Sequence, residues 1–219
     1  MAIPRIIPSL LLRGNGFVKT KRFKDAVYLG DCFNTVRLFN EKEADELMIL
    51  DIEATAAGRP PRFEFLRDLA GECFMPVAYG GGVRSLEDMQ KLFAAGFEKV
   101  SVNTQAWNDP ELIRTAAREF GAQSVIASID VRRTLFGRFE VYVEGGRKGT
   151  GMDPVAAAQR AADLGAGELL LNSIDRDGTM QGYDVDLIRR VADAVEITVI
   201  ACGGAGSLGD FRQAIQEGH

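Results

Sequence analysis

Two kinds of feature in this 219-residue chain could do chemistry. The first is a carboxylate. Asp130 stands at the end of the apolar run Ser124-Val-Ile-Ala-Ser-Ile-Asp130. A carboxyl in that position is partly desolvated, which raises its pKa and lets it move protons near neutral pH. Lys19 lies in a polar stretch with Lys21, Arg22 and Lys24, where it could clamp an anion or close over a ligand. The second feature is bare backbone. Val77-Ala-Tyr-Gly80-Gly81-Gly82-Val-Arg-Ser85 reads as a strand, a side-chain-free turn and a helix start capped by Ser85. Unobstructed N–H groups beside a helix start suit an anion, phosphate above all.

The same pattern returns as Val199-Ile-Ala-Cys202-Gly203-Gly204-Ala-Gly206-Ser207. Gly81 and Gly203, Gly82 and Gly204, Ser85 and Ser207, and Asp88 and Asp210 are each 122 positions apart. Ala44-Asp-Glu46-Leu47 and Ala166-Gly-Glu168-Leu169 share that offset. Residues 5–11 and 124–130 match at an offset of 119, which sets Leu11 opposite Asp130. An internal repeat outranks any local reading. The chain is two homologous halves, about 1–121 and 122–219, within a single domain 1–219. A phosphate-type turn in each half suits a ligand with a phosphate at each end.

The elements that must position these residues alternate strictly. Strands are expected at 5–12, 46–52, 77–80, 99–102, 124–131, 168–172 and 198–201. Helices are expected at 32–43, 61–73, from Ser85, 109–120, from Asp153 to near Gly165, 184–194 and 207–217. Residues 13–31 read as a long polar loop, and 139–142 with Gly145-Gly146 as a small inserted hairpin. The result is an α/β plan of parallel strands, and the two-fold repeat favours a (β/α)8 TIM barrel. Seven strand–helix pairs leave strand 8 and helix 8 missing against the ~250 residues of a full barrel. Strands 1 and 7 would then each present an unpaired edge.

In a barrel, the strand-end residues Asp51, Asn103, Thr104, Asp130, Asn172, Ser173, Asp175 and Asp177 line one mouth. Arg5, Glu46, Lys99 and Glu168 each precede an apolar strand run. They would converge at the opposite end as a neutral, salt-bridged ring.

Net charge is −5 and no basic block stands out, which argues against nucleic acid. No run is long or apolar enough for a membrane span, and the N-terminus lacks a signal-peptide pattern, so a cytoplasmic location is expected. Cys32, Cys73 and Cys202 are scattered and read as reduced thiols. The only histidine is the last residue, His219. Imidazole catalysis and His-based metal sites are therefore excluded, and neither a metal nor a cofactor is expected.

Several long motifs, in order along the whole chain, resemble the cyclase subunit of imidazole glycerol phosphate synthase. They are Arg5-Ile-Ile, Leu50-Asp51-Ile52, Gly80-Gly-Gly-Val, Lys99-Val-Ser-Val-Asn-Thr104, Ser173-Ile-Asp-Arg-Asp-Gly-Thr179 and Cys202-Gly-Gly-Ala-Gly206. The resemblance implies a barrel that takes ammonia from a glutaminase partner docked at its bottom and delivers it to a bis-phosphorylated substrate at its top. It assigns Asp130 as catalytic acid and Lys19 as a substrate-contacting lysine. It places Gly82, Asn103 and Thr104 at one phosphate. Asp177, Gly178 and Gly204, with Gly203 in the same turn, fall at the other end of the substrate. Arg5, Glu46, Lys99 and Glu168 match the charged gate for ammonia.

Two departures stand out: Leu11 replaces a second catalytic aspartate, and strand 8 is missing. Ser9-Leu-Leu-Leu12, Lys19-Thr20-Lys21 and Gly71-Glu-Cys-Phe-Met-Pro76 resemble a paralogous branch. That branch is associated with nitrogen addition to sugars of surface polysaccharides (lipopolysaccharide biosynthesis), alongside a glutaminase-like partner and an amidotransferase-like protein. The expected function is an ammonia-using lyase or synthase of that kind. The alternatives are a histidine-biosynthesis cyclase that tolerates Leu11, and a non-catalytic partner that channels ammonia for a glutaminase.

Overall fold

Short β-branched runs and 3.6-period segments take turns along the chain, and the computed structural model follows them element by element. It describes residues 4–218, so His219 lies outside the described residues. Residues 4–19 together with Val27–Val102 form one compact unit. Thr20–Ala26 and residues 103–218 form a second.

The chain opens with β1 (Ser9–Arg13) and the hairpin of β2 (Gly16–Lys21) and β3 (Lys24–Asp31), whose tip, Thr20–Ala26, belongs to the second unit. Then come α1 (Cys32–Glu41), β4 (Leu47–Asp51), α2 (Phe63–Gly71), β5 (Val77–Gly80), α3 (Leu86–Ala94) and β6 (Lys99–Val102). β1, β4, β5 and β6 are parallel neighbours in that order. Leu12, Phe17, Leu47, Met48, Ile49, Leu66, Leu69, Met89 and Leu92 are fully buried between sheet and helices. Each contributes about 1.5–3 kcal/mol of transfer free energy. The Asp31 carboxylate caps α1 by accepting from the Asn34 N–H, and the Ser85 hydroxyl caps α3 by accepting from the Asp88 N–H.

The second unit continues with α4 (Thr104–Asn108), α5 (Glu111–Phe120), β7 (Val125–Arg133), β8 (Phe139–Val143), β9 (Lys148–Gly149) and α6 (Pro154–Asp163). It ends with β10 (Glu168–Ser173), α7 (Val185–Ala192), β11 (Thr198–Cys202) and α8 (Leu208–Glu217). β7, β10 and β11 are parallel neighbours, and β8 folds back on β7 as an antiparallel hairpin. β7 and β10 are buried almost throughout, which is why their sequences read as continuous apolar runs.

Each unit is thus a run of parallel strands separated by helices, the α/β plan that a (β/α) barrel family requires. Three expectations change. Residues 13–31 are not a loop but carry the β2–β3 hairpin. β1 begins at Ser9 rather than at residue 5, and β2 pairs with it from Leu11 to Arg13, so its flank there is not an open edge. α2 begins after Pro61, with Arg62 at the N-cap position. Among the described residues, no helix is long and apolar enough to cross a membrane.

Candidate functional site

The second unit brings most of the expected site residues together. Parallel register aligns Asp130 of β7 with Asn172 of β10, and Asn172 with Cys202 of β11, so three polar side chains share one level. Asp130 is only 8% exposed. Burial first, and then the negative charge of Asp177, raise its carboxyl from an ordinary 3.8 to about 7. Asn103 donates one amide N–H to Asp130 Oδ2 at 3.2 Å, and its amide also reaches the Ser128 carbonyl at 3.2 Å. Thr104 donates to Asn103 Oδ1 at 3.3 Å and accepts from the Glu144 N–H at 3.0 Å. The strand-end carboxyl is therefore held by an amide that is itself held. Its pKa is raised from the ordinary carboxylate range toward neutrality, where a carboxyl can exchange protons. Burial and the two neighbouring carboxyls push the Cys202 thiol up to about 12, so it stays protonated.

Asp177 does something that sequence reasoning missed. Its Oδ2 accepts from the Thr20 hydroxyl at 2.9 Å and from the Phe23 N–H at 3.3 Å. Its carbonyl accepts from the Arg22 N–H at 2.9 Å. The residue clasps the tip of the β2–β3 hairpin, and its own carboxyl is raised by burial against the pull of those hydrogen bonds. Gly178 makes the approach possible: at φ +64°, a Cβ there would lie 1.9 Å from the Thr20 carbonyl oxygen. Thr20 and Phe23 carry no sequence pattern of their own, and only the Asp-Arg-Asp-Gly run marked the clasp.

The two glycine turns are duplicates in atomic detail. A Cβ on Gly81 would strike the Asp51 carbonyl oxygen, and one on Gly203 would strike that of Ser173, 122 positions on. Asp88 accepts from the Arg84 N–H in the first unit, and Asp210 from the Gly206 N–H in the second, each at 2.9 Å. Ser85 and Ser207 cap α3 and α8 in the same way. These two aspartates already fill the loop N–H groups just before each helix.

In the first unit, Leu11 of β1 pairs in register with Leu50 of β4. Asp130 and Asn172 pair the same way in the second unit, so the level that is polar there is apolar here. One residue beyond Leu50, Asp51 is tied down by Arg59 at 2.9 Å and by the N–H groups of Glu53 and Ala54. Lys19 is an exposed residue of β2 in this unit, not part of a loop.

At the strand starts of the first unit, Glu46 is 1% exposed. It accepts from Arg5 at 2.8 Å and from Lys99 at 3.0 Å. Glu168, at the matching position of the second unit, is buried at the start of β10. Among the described residues, no group of three or more His, Cys, Asp or Glu is placed to hold a metal.

Residues 5–219 match the family described as histidine biosynthesis protein. A Pseudomonas aeruginosa protein, provisionally named imidazole glycerol phosphate synthase subunit hisF2, is 49% identical over 94% of this chain and 82% of its own length. Imidazole glycerol phosphate synthase subunit HisF of Alkaliphilus metalliredigens is 45% identical over 100% of this chain and 86% of its own. That of Streptomyces griseus is 47% identical over 98% of this chain and 85% of its own.

Proposed function

This chain belongs to the histidine biosynthesis protein family, in its HisF-like imidazole glycerol phosphate synthase cyclase-subunit branch, and from that premise we propose that it uses ammonia on a phosphorylated small molecule other than the histidine-pathway substrate. Asp130 is the proton-transfer group, steadied by Asn103, and Lys19 contacts the substrate. Gly82, Asn103 and Thr104 receive one phosphate, while Asp177, Gly178, Gly203 and Gly204 serve the other end. A glutaminase-type subunit docks at the strand N-termini and supplies ammonia past Arg5, Glu46, Lys99 and Glu168. The sugar of a surface polysaccharide is the acceptor class we favour.

The observation that carries this reading is the Leu11–Leu50 pair. It stands at the level where the other unit has Asp130 and Asn172. A leucine neither takes nor gives a proton, and a positioned general acid or base is worth about 10²–10⁴-fold. The names of the relatives from Alkaliphilus and Streptomyces favour a second reading, an ordinary histidine-pathway cyclase.

One experiment separates the two. The chain is supplied with ammonium chloride and the substrate of imidazole glycerol phosphate synthase. We expect little or no turnover, and a rise of about a hundredfold in Leu11→Asp. Turnover by the unaltered chain at the level of an ordinary cyclase overturns the proposal in favour of the second reading.

A further inference from the structure

The hairpin that follows β7 is a cationic island on an anionic protein. Between Arg132 and Gly149 stand Arg132, Arg133, Arg138, Arg147 and Lys148 against only Glu140 and Glu144, in a chain of net charge −5. Its stem is stiff. The Arg132 guanidinium lies 4.7 Å over the Tyr142 ring, and that of Arg133 lies 4.0 Å over Phe139 and 3.3 Å from the Asp184 carboxylate. The Arg133 N–H is fixed to Asp175 at 2.8 Å. The turn itself is closed by Thr134 N–H to the Arg138 carbonyl at 2.7 Å and by Gly137 N–H to the Thr134 carbonyl at 2.9 Å. This rigid stem presents Leu135 at 103% and Phe136 at 86% exposure, with Arg138 exposed beside them.

We propose that this tip is a docking peg for a second protein, one that offers an apolar groove rimmed by Asp and Glu. Charge complementarity selects the rim, because Arg138 is exposed beside the apolar pair and Arg132 stands just behind the turn, whereas Arg133 is already paired with Asp184 and Arg147 and Lys148 lie at the far end of the hairpin. The apolar pair selects a groove over a flat surface, because an adjacent aromatic and aliphatic anchor gains most when enclosed on all sides. A lipid bilayer is the weaker occupant. A single myristoyl chain holds a protein on a membrane only marginally, and Leu135 and Phe136 together carry fewer side-chain carbons than that chain. Placement gives the peg its use. β7 ends at Arg133 and carries Asp130, which pairs with Tyr142 of the hairpin stem. Leu135 is five residues beyond Asp130, about 17 Å along an extended strand. A protein seated on the tip stands beside the strand ends where Asp130 works, placed to receive what leaves them. It is distinct from any partner at the strand N-termini.

The test places the photo-crosslinker p-benzoylphenylalanine at position 136 of the full chain in its native host and identifies the adduct by mass spectrometry. Purified adduct partner is then titrated against the unaltered chain, Phe136→Ser, Arg138→Glu and the control Phe74→Ser, which alters another exposed aromatic. The proposal expects one discrete foreign protein, and about tenfold weaker binding in Phe136→Ser. Weaker binding is also expected in Arg138→Glu and in high salt, with no change in Phe74→Ser. It is overturned by any of four results: absence of a discrete protein adduct, an adduct with a second copy of this chain, equal affinity in all variants, or Phe136-dependent binding to phosphatidylglycerol–phosphatidylethanolamine vesicles in place of a protein.

Discussion

Asp130 is the residue on which burial and charge act most clearly. Its carboxyl holds a proton up to about 7 when folded, against an ordinary 3.8. The folded state therefore binds that proton more tightly than the unfolded one. The stabilisation is complete below about pH 4 and disappears as pH rises through about 7. Ionising the buried group costs on the order of 4 kcal/mol. Asp130→Asn removes that cost, so relative to the unaltered chain it should be markedly more stable at pH 8 than at pH 4. Urea melts at the two pH values check this, and a pH-independent difference would show that Asp130 ionises freely. The same substitution should lower any turnover by about 10²–10⁴-fold, read by steady-state kinetics. Asp130 was legible in the sequence because a lone acid ends an apolar run. Its support was not, because Asn103 lies 27 positions away and the Thr20 partner of Asp177 lies 157 away. Nothing local in a sequence announces contacts of that reach.

At the scale of elements, seven parallel strands and their helices were legible because buried strands and amphipathic helices carry different periods. The β2–β3 hairpin was not legible, for a physical reason. Its turn places Arg22, Phe23 and Asp25 at positive φ, where glycine or asparagine would have announced it. Such a turn needs outside support, and the Asp177 clasp supplies it. Thr20→Val removes one hydrogen bond worth about 1 kcal/mol. Amide exchange at Arg22 and Phe23 should quicken about fivefold, while the β7 amides stay unchanged; equal rates before and after would discount the clasp. The glycine turns allow a sharper comparison. Gly204 sits at φ +112°, and a Cβ there would lie 2.2 Å from the Gly182 carbonyl oxygen, whereas Gly14 sits at φ +56° with nothing within 4 Å. Gly14→Ala should cost about 1 kcal/mol from backbone strain alone. Gly204→Ala adds a backbone collision and should cost more than about 2 kcal/mol. Urea midpoints report both, and similar losses would refute the role assigned to close approach.

For the molecule as a whole, the duplication was legible as an offset of 122 and reappears in paired hydrogen bonds and glycine contacts. The buried Glu46 cluster makes one further prediction. Under the proposed function, Lys99→Met should depress glutamine-driven nitrogen transfer, measured with the proposed glutaminase-type partner, more than transfer driven by free ammonium; equal depression would remove Lys99 from the proposed ammonia route. The paired registers also bear on what the chain can tolerate over generations. Asp88 with Asp210, and Gly81 with Gly203, serve the backbone in both halves, so neither copy can drift without harming its own half. The level of Leu11 and Leu50, and that of Asp130 and Asn172, are two addresses of the same ladder geometry, only one of which holds ionisable chemistry. Selection therefore grips them unequally. Under saturation mutagenesis, positions 11 and 50 should accept many side chains of similar volume, while 130 and 172 accept few. The silent address is the place where a new activity could be written into this scaffold without first erasing the old one.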